Sequence, residues 1–278
     1  MRIALIGHGK MGAALLTQWS KVGDRDGAAH SFVVIDPAAD TDGAEADDEG
    51  RDTGADRRRV TFLKAPPPVA ESAFDLVIVA VKPQVVDAVL PDYAPRLAAG
   101  GFVASIAAGC SIARLKALAG GVPVVRIMPN LPAAIGAGVS GLCADPAATE
   151  AQRATIEALM EAAGTALWVD DEDKLDRLTA VAGSGPGYVF EIARTYVAAA
   201  EALGFSSDEA RQLVLGTMAG TIAMAQSSDE DLAALRTSVT SKNGTTAAGL
   251  DALNGDDGLT ARMRATVDAA YARAIALR

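Results

Sequence analysis

The sequence predicts an α/β chain whose first part is a sheet wound on both faces by helices and whose second part is helices alone. Three observations lead there. Short apolar runs alternate with helix-length stretches through the first 160 or so residues. A glycine-rich turn, "GHGKMG", joins the first run to the first helix. From Glu172 onward the strand pattern stops and only helical spacing continues.

The elements follow in order. Ile3 to Ile6 is fully apolar and ends at Gly7, as a strand buried on both faces would. Lys10 to Lys21 reads as a helix with Met11, Leu15, Leu16 and Trp19 on one face. "SFVVID" is the second strand. Residues 37–59 are acidic, then basic, and lack periodicity, so they read as a long surface loop or partly disordered insertion. Its Arg57, Arg58 and Arg59 are either solvated charge or a phosphate clamp. "VTFLKAP" and "FDLVIVAV" are strands, and a helix follows from about Gln84 to Leu90. "GGFVASIAAG", "VPVVRIMPN" and "GAGVSGLCA" read as further strands, with "SIARLKALAG" as a helix after the first of them. Thr149 to Ala163 is a helix and "ALWVD" a last short strand. The remaining helices carry small apolar residues on more than one face, as with Tyr188, Ile192, Tyr196 and Ala200. Such a helix must be covered on both sides, by a large core or by another subunit. A boundary near residue 167 therefore separates a domain of residues 1–166 from a helical dimerisation domain of residues 167–278.

Composition narrows the partners. The chain has 278 residues, enough to bury about 75% of its unfolded surface. Its net charge of −10 argues against nucleic acid and against an anionic membrane surface. The two cysteines, Cys110 and Cys143, sit in apolar, Gly/Ala-rich stretches without a CxxC partner. They read as buried thiols, and no metal cluster is implied. No apolar run reaches the ~18 residues of a membrane span. "MRIALIGHG" is already a strand rather than a leader. The expected place is the cytoplasm.

Gly7, Gly9 and Gly12 form a G-x-G-x-x-G pattern after a strand and at a helix start. In that context it is the dinucleotide fingerprint of a Rossmann-type sheet. Gly7 permits the tight turn, Gly9 lets backbone approach a pyrophosphate, and Gly12 lets the helix pack on the sheet. The helix N-terminus then faces the phosphates. His8 lies inside the loop, where backbone contact to phosphate fits better than catalysis. Asp36 ends the second strand. It either hydrogen-bonds a ribose 2′-hydroxyl, favouring NADH over NADPH, or is a turn residue.

Three stretches make the reading specific: "AVKPQ" (80–84), "MPNLPAAIGAG" (128–138) and "LTAVAGSGPGYVFEI" (178–192). With "LRTSVTSKNGTTAAGLDAL" (235–253) they closely resemble the pyrroline-5-carboxylate reductase family, in order and over nearly the whole chain. That family reduces a cyclic imine to proline with NADPH or NADH. By this resemblance the cofactor is lined by Ile6, Gly7, His8, Gly9, Lys10, Met11, Gly12 and Asp36, then by Ala80, Val81, Lys82 and Pro83. Ile106, Ala107, Ala108, Asn130 and Glu172 complete that set. Thr179, Ser184, Ser241, Gly244, Thr245 and Thr246 bind the substrate. Thr246 is the candidate catalytic residue, hydrogen-bonded to the ring nitrogen, and the backbone N–H groups of residues 244–246 bind the carboxylate. The resemblance also implies a homodimer, in some members assembled into a larger ring.

The chemistry agrees with the residue types. A protonated imine accepts a hydride without a strong general base, so the protein must mainly position two reactants and exclude water. The competing reading of "VTSKNGTTAAGL" is a plain helix cap. The chain also departs from the family: Lys242 and Asn243 stand where Pro-Gly is usual, and Leu131 where Thr is usual. Asn tolerates left-handed backbone angles, so Asn243 can replace Gly. Lys242 either draws in a carboxylate or is solvated. The rivals are a paralogue acting on another cyclic imine, a non-catalytic NAD(P)-binding paralogue, and a β-hydroxyacid dehydrogenase. The last needs a Lys on the long helix, and none occurs between Lys174 and Lys242.

Overall fold

The fold is described from a computed structural model, for residues 1–20, 30–39 and 60–278. Most of the acidic insertion, the Arg57–Arg59 triplet and the expected helix end at Lys21 lie outside these residues. The chain separates into two compact units, Met1–Ser184 with Ala270–Arg278, and Gly185–Ala269.

The first unit is built on an eight-stranded sheet. Its strands are β1 (Arg2–Ile6), β2 (Ser31–Ile35), β3 (Val60–Leu63), β4 (Phe74–Val79), β5 (Leu97–Ser105), β6 (Val124–Met128), β7 (Gly138–Ala144) and β8 (Gly164–Trp168). Their spatial order is 3-2-1-4-5-6-7-8. β1 to β6 pair in parallel. Order reverses at β1, so a crevice opens at the carboxyl ends of β1 and β4. The alternation of the strands explains why their runs are wholly apolar. Ile3 and Leu5 pack with Leu15, Trp19 and Leu76 on one face, while Ala4 and Ile6 pack with Val77, Val86 and Leu115 on the other.

The helices of this unit are α1 (Lys10–Trp19), α2 (Val86–Val89), α3 (Ile112–Leu118), α4 (Glu150–Glu161) and α5 (Glu172–Leu178). Ser111 caps α3, and Thr149 with Gln152 forms a capping box on α4. The helix expected from Gln84 to Leu90 is shorter: only Val86–Val89 is α-helical, between 3-10 turns at Pro83–Val85 and Leu90–Arg96. Pro83, Pro91 and Pro95 each lack an N–H donor there.

Alternating strands and helices imply a parallel sheet, and that expectation is corrected at one strand. β7 runs antiparallel to β6, so the sheet is not parallel throughout. The link from Met128 to Gly138 is too short for a parallel crossover, which needs a dozen or more residues. The long link through α4 does allow β8 to run parallel to β7. The compact units divide at Ser184. β8 and α5 belong with the sheet because Val169 and Leu175 share a core cluster with Cys143.

The second unit contains α6 (Gly185–Ala202), α7 (Ser207–Gln226), α8 (Leu232–Ser238), α9 (Thr245–Asn254) and most of α10 (Gly258–Ile275). Ser206 and Glu209 form a capping box on α7, and Asp231 caps α8. Its buried apolar side chains are Ala193, Ala200, Ala210 and Val214. Leu203, Met224, Phe190 and Ile222 are 82%, 65%, 62% and 59% exposed. The two-sided helices read from the sequence thus present large apolar side chains outward from the single chain.

Candidate active site

The fingerprint loop has the backbone its glycines suggest. Gly7 sits at φ +93°, a left-handed angle, and its N–H bonds the Ile35 carbonyl at 2.9 Å. A Cβ on Gly7 would lie 2.8 Å from Val81 Cγ1, and one on Gly12 would lie 2.8 Å from the Gly7 carbonyl oxygen. A Cβ on Gly9 would meet nothing within 4 Å. Gly9 is also the N-cap of α1, with no side chain to satisfy the first-turn N–H groups. An uncapped helix N-terminus with open space at Gly9 fits a pyrophosphate.

The hollows that flank the loop in this unit include two with separate walls. The first, of about 360 Å³, is lined by Gly9, Lys10, Met11, Ala80, Val81, Lys82, Pro83, Ile106, Ala107, Ala108, Met128 and Pro129. The ends of β4, β5 and β6 supply its walls, as the switch-point rule requires. The second, of about 270 Å³, is lined by His8, Asp36, Ala38, Ala39 and Phe62. There the Asp36 carboxylate accepts from the His8 N–H at 2.7 Å and from the Ala38 N–H at 2.8 Å. The His8 ring packs edge-on against Phe62, with centroids 5.2 Å apart. Ile6 is buried beneath the loop.

Asn130 and Glu172 are both held by hydrogen bonds within the first unit. The Asn130 amide donates to the Ala182 carbonyl at 3.1 Å and accepts from the Val139 N–H at 2.8 Å. Its buried side chain braces the chain, next to Met128 and Pro129, which line the hollow. Glu172 accepts from Arg126 at 2.6 Å and from the Ile112 N–H at 2.9 Å. Arg126, on β6, also lies 3.7 Å from Asp176, which pairs with Arg278. Asp173 completes this cluster, bonded to Tyr271 and Arg278. The Tyr271 hydroxyl, ahead of Arg278 and Arg177, holds the Asp173 carboxyl below its usual range. Glu172 therefore ties α5 to the start of α3 and to β6.

Met128, Pro129 and Phe62 went unselected in the sequence, although each lies at or next to the end of a strand. Thr179 opens a π-helical turn, Thr179–Gly183, its hydroxyl donating to the Leu175 carbonyl and its own carbonyl accepting from the Ser184 N–H. π-turns of this kind recur at functional sites. Gly183 packs on the hollow's wall, since a Cβ there would lie 3.1 Å from Met128 Cε. Cys110 and Cys143 are buried, and burial pushes both thiols up.

In the second unit, Gly244 is the N-cap of α9 and offers no side-chain cap. The plain-cap reading of the hydroxyl cluster is thereby corrected: Ser241, Thr245 and Thr246 do not cap the helix. Thr240 donates to the Arg236 carbonyl. Gly244 is not a free donor, because its N–H bonds the Ser241 carbonyl at 3.0 Å. The uncapped first-turn N–H groups of Thr245 and Thr246 remain. Asn243 takes φ +59°, the left-handed angle expected of a residue standing in for Gly.

Over 277 aligned residues the chain is 38% identical to pyrroline-5-carboxylate reductase of Pseudomonas aeruginosa, covering 99% of this chain and 96% of that protein. The chain belongs to the pyrroline-5-carboxylate reductase family. The enzyme of that name from Mycobacterium tuberculosis (strain CDC 1551 / Oshkosh) is 36% identical, covering 100% of this chain and 97% of its own. A solved family structure from Coxiella burnetii matches with a TM-score of 0.85 at 28% identity, over 99% of this chain and 97% of that one. Residues 172–277 match the profile for pyrroline-5-carboxylate reductase dimerisation, and residues 2–109 that for NADP oxidoreductase, coenzyme F420-dependent.

Proposed function

We infer that this chain reduces 1-pyrroline-5-carboxylate to L-proline by hydride transfer from NAD(P)H, the last step of proline biosynthesis. The observation that carries this reading is similarity along nearly the full length to reductases of that name. Two local features support it. The fingerprint cradle is open only at Gly9, where backbone must approach phosphate. The α9 N-terminus keeps its first-turn donors uncapped.

The N–H groups at the start of α1 would hold the pyrophosphate, and the walls at 80–83, 106–108 and 128–129 the nicotinamide half. Bound there, the reduced nicotinamide supplies the hydride. Thr245 and Thr246 would bind the substrate carboxylate through their backbone N–H groups at the positive end of α9. The Thr246 hydroxyl would hold the ring nitrogen. Thr179, Ser184 and Ser241 are the remaining substrate-side residues of this proposal. None of these groups needs to remove a proton from carbon, because the imine nitrogen can be protonated before binding. Positioning and exclusion of water are enough.

The active form is a homodimer formed through the helical region, supported by the dimerisation profile over 172–277 and by the exposed apolar side chains of α6 and α7. A cytoplasmic place belongs to the same proposal.

The test is direct. Purified protein given pyrroline-5-carboxylate should oxidise NADH or NADPH and yield proline; no turnover with either overturns the reading. Thr246→Ala should lower kcat/KM by about tenfold or more while leaving cofactor Kd within about twofold. Loss of cofactor binding in that variant would remove the substrate loop from this role.

A further inference from the structure

We propose that Tyr271 and Arg278 are positioning residues: they strap the turn after β5 in place and so set the wall against which the nicotinamide ring lies. The proposal rests on the reading above, that the hollow walled by residues 80–83, 106–108 and 128–129 takes the nicotinamide half of the cofactor. α10 begins in the helical unit, but Ala270–Arg278 belongs to the sheet unit. There the chain beyond α10 lies directly on the turn. Gly109 takes φ +73°, and a Cβ on it would overlap the Leu277 carbonyl oxygen and lie 3.6 Å from Leu277 Cβ. Only a residue without a side chain lets the strap pack so closely. The three residues before it, Ile106, Ala107 and Ala108, line the hollow.

Side chains fix the strap to α5. The Tyr271 hydroxyl donates to Asp173 at 2.7 Å, and Arg278 donates to Asp173 at 3.0 Å and to Asp176. The Arg177 guanidinium lies over the Tyr271 ring, 5.6 Å from its centroid. Asp176 is buried, so losing a cationic partner there is costly and Arg278 is held firmly. α5 in turn grips both flanks of the hollow. Its Glu172 accepts from the Ile112 N–H and from Arg126, and its Leu175 belongs to a core cluster against which Ile112 and Met128 pack. The turn is thus held from two sides, by Leu277 at Gly109 and by Glu172 at Ile112. These contacts fall at residues 109–112 and 126–128, on the nicotinamide side, whereas a pyrophosphate would meet the start of α1. Hydride transfer needs the ring at near-attack distance, so a loosened wall weakens the grip on the ring and slows the reaction.

Two equilibrium titrations of the whole chain, well below its melting temperature, test this. One uses the reduced dinucleotide that the protein binds more tightly, NADH or NADPH. The other uses the corresponding ADP-ribose or 2′-phospho-ADP-ribose, which lacks the nicotinamide ring. Arg278→Ala should raise the dinucleotide Kd about three- to thirtyfold and leave the ADP-ribose Kd within about twofold. Arg278→Lys keeps the charge but loses the planar fork, so it should fall between the unaltered protein and Arg278→Ala. Tyr271→Phe removes the hydroxyl alone and should show the same split more weakly. A purely structural role would lower Tm and move neither Kd, and a general loosening would move both Kd values equally. Either result overturns the proposal and leaves the dinucleotide reading standing. Failure of the unaltered protein to bind either ligand overturns that reading, and the proposal with it. Should Arg278→Ala fail to fold, the ratio of the two Kd values in Tyr271→Phe decides.

Discussion

Alanine at Gly9 and alanine at Gly12 should fail in different ways. At Gly9 a Cβ meets open space and φ is an ordinary −70°, so stability should stay within about 0.5 kcal/mol. The methyl group occupies the approach to the α1 N-terminus, so cofactor affinity should drop tenfold or more, about 1.4 kcal/mol. At Gly12 the same methyl lies 2.8 Å from the Gly7 carbonyl oxygen and 3.3 Å from Ala80 Cβ. Helix and sheet must move apart, at about 1–3 kcal/mol of stability. Thermal melts and NADH titrations of the two variants separate these outcomes; a destabilised Gly9→Ala or a fully stable Gly12→Ala would contradict the assigned roles. At this scale the sequence was informative because glycine has few uses. It said less of Asn130 and Glu172, whose partners Ala182, Val139, Arg126 and Ile112 come from distant parts of the chain.

Among elements, β6 carries the main departure from an all-apolar strand. Arg126 is buried in it, its side chain 7% exposed, and ties the strand to α5 through Glu172 and Asp176. Removing one member of a buried cluster strands the others, whereas an exposed pair is worth little. Arg126→Met should therefore cost about 3 kcal/mol in denaturant unfolding. Arg194→Ala breaks the exposed pair with Glu191 and should cost less than about 1 kcal/mol. Equal costs would show that the buried cluster contributes no more than a surface pair. The strands themselves were legible because burial on both faces leaves continuous apolar runs. The direction of β7 was not, since an apolar run carries no arrow; only the short link from β6 sets it.

For the whole molecule, the helical unit is the part least able to stand alone. Its buried apolar residues are three alanines and one valine, while leucine, methionine, phenylalanine and isoleucine remain outside. If a second copy covers them, association and folding are linked. Sedimentation should show a dimer or a multiple of dimers, and Tm should rise with protein concentration. A stable monomer with a concentration-independent Tm would remove the dimer from the proposal. The sequence by itself determined the sheet, the fingerprint, the late run of helices and the family motifs, because each follows from local periodicity or from residue types at fixed spacing. Tertiary structure alone decided that Asp36 reaches His8, that Met128 and Pro129 line the hollow, and that β8 and α5 pack with the sheet. Those outcomes depend on which distant backbone groups come within hydrogen-bond reach, and spacing along a chain does not encode that distance.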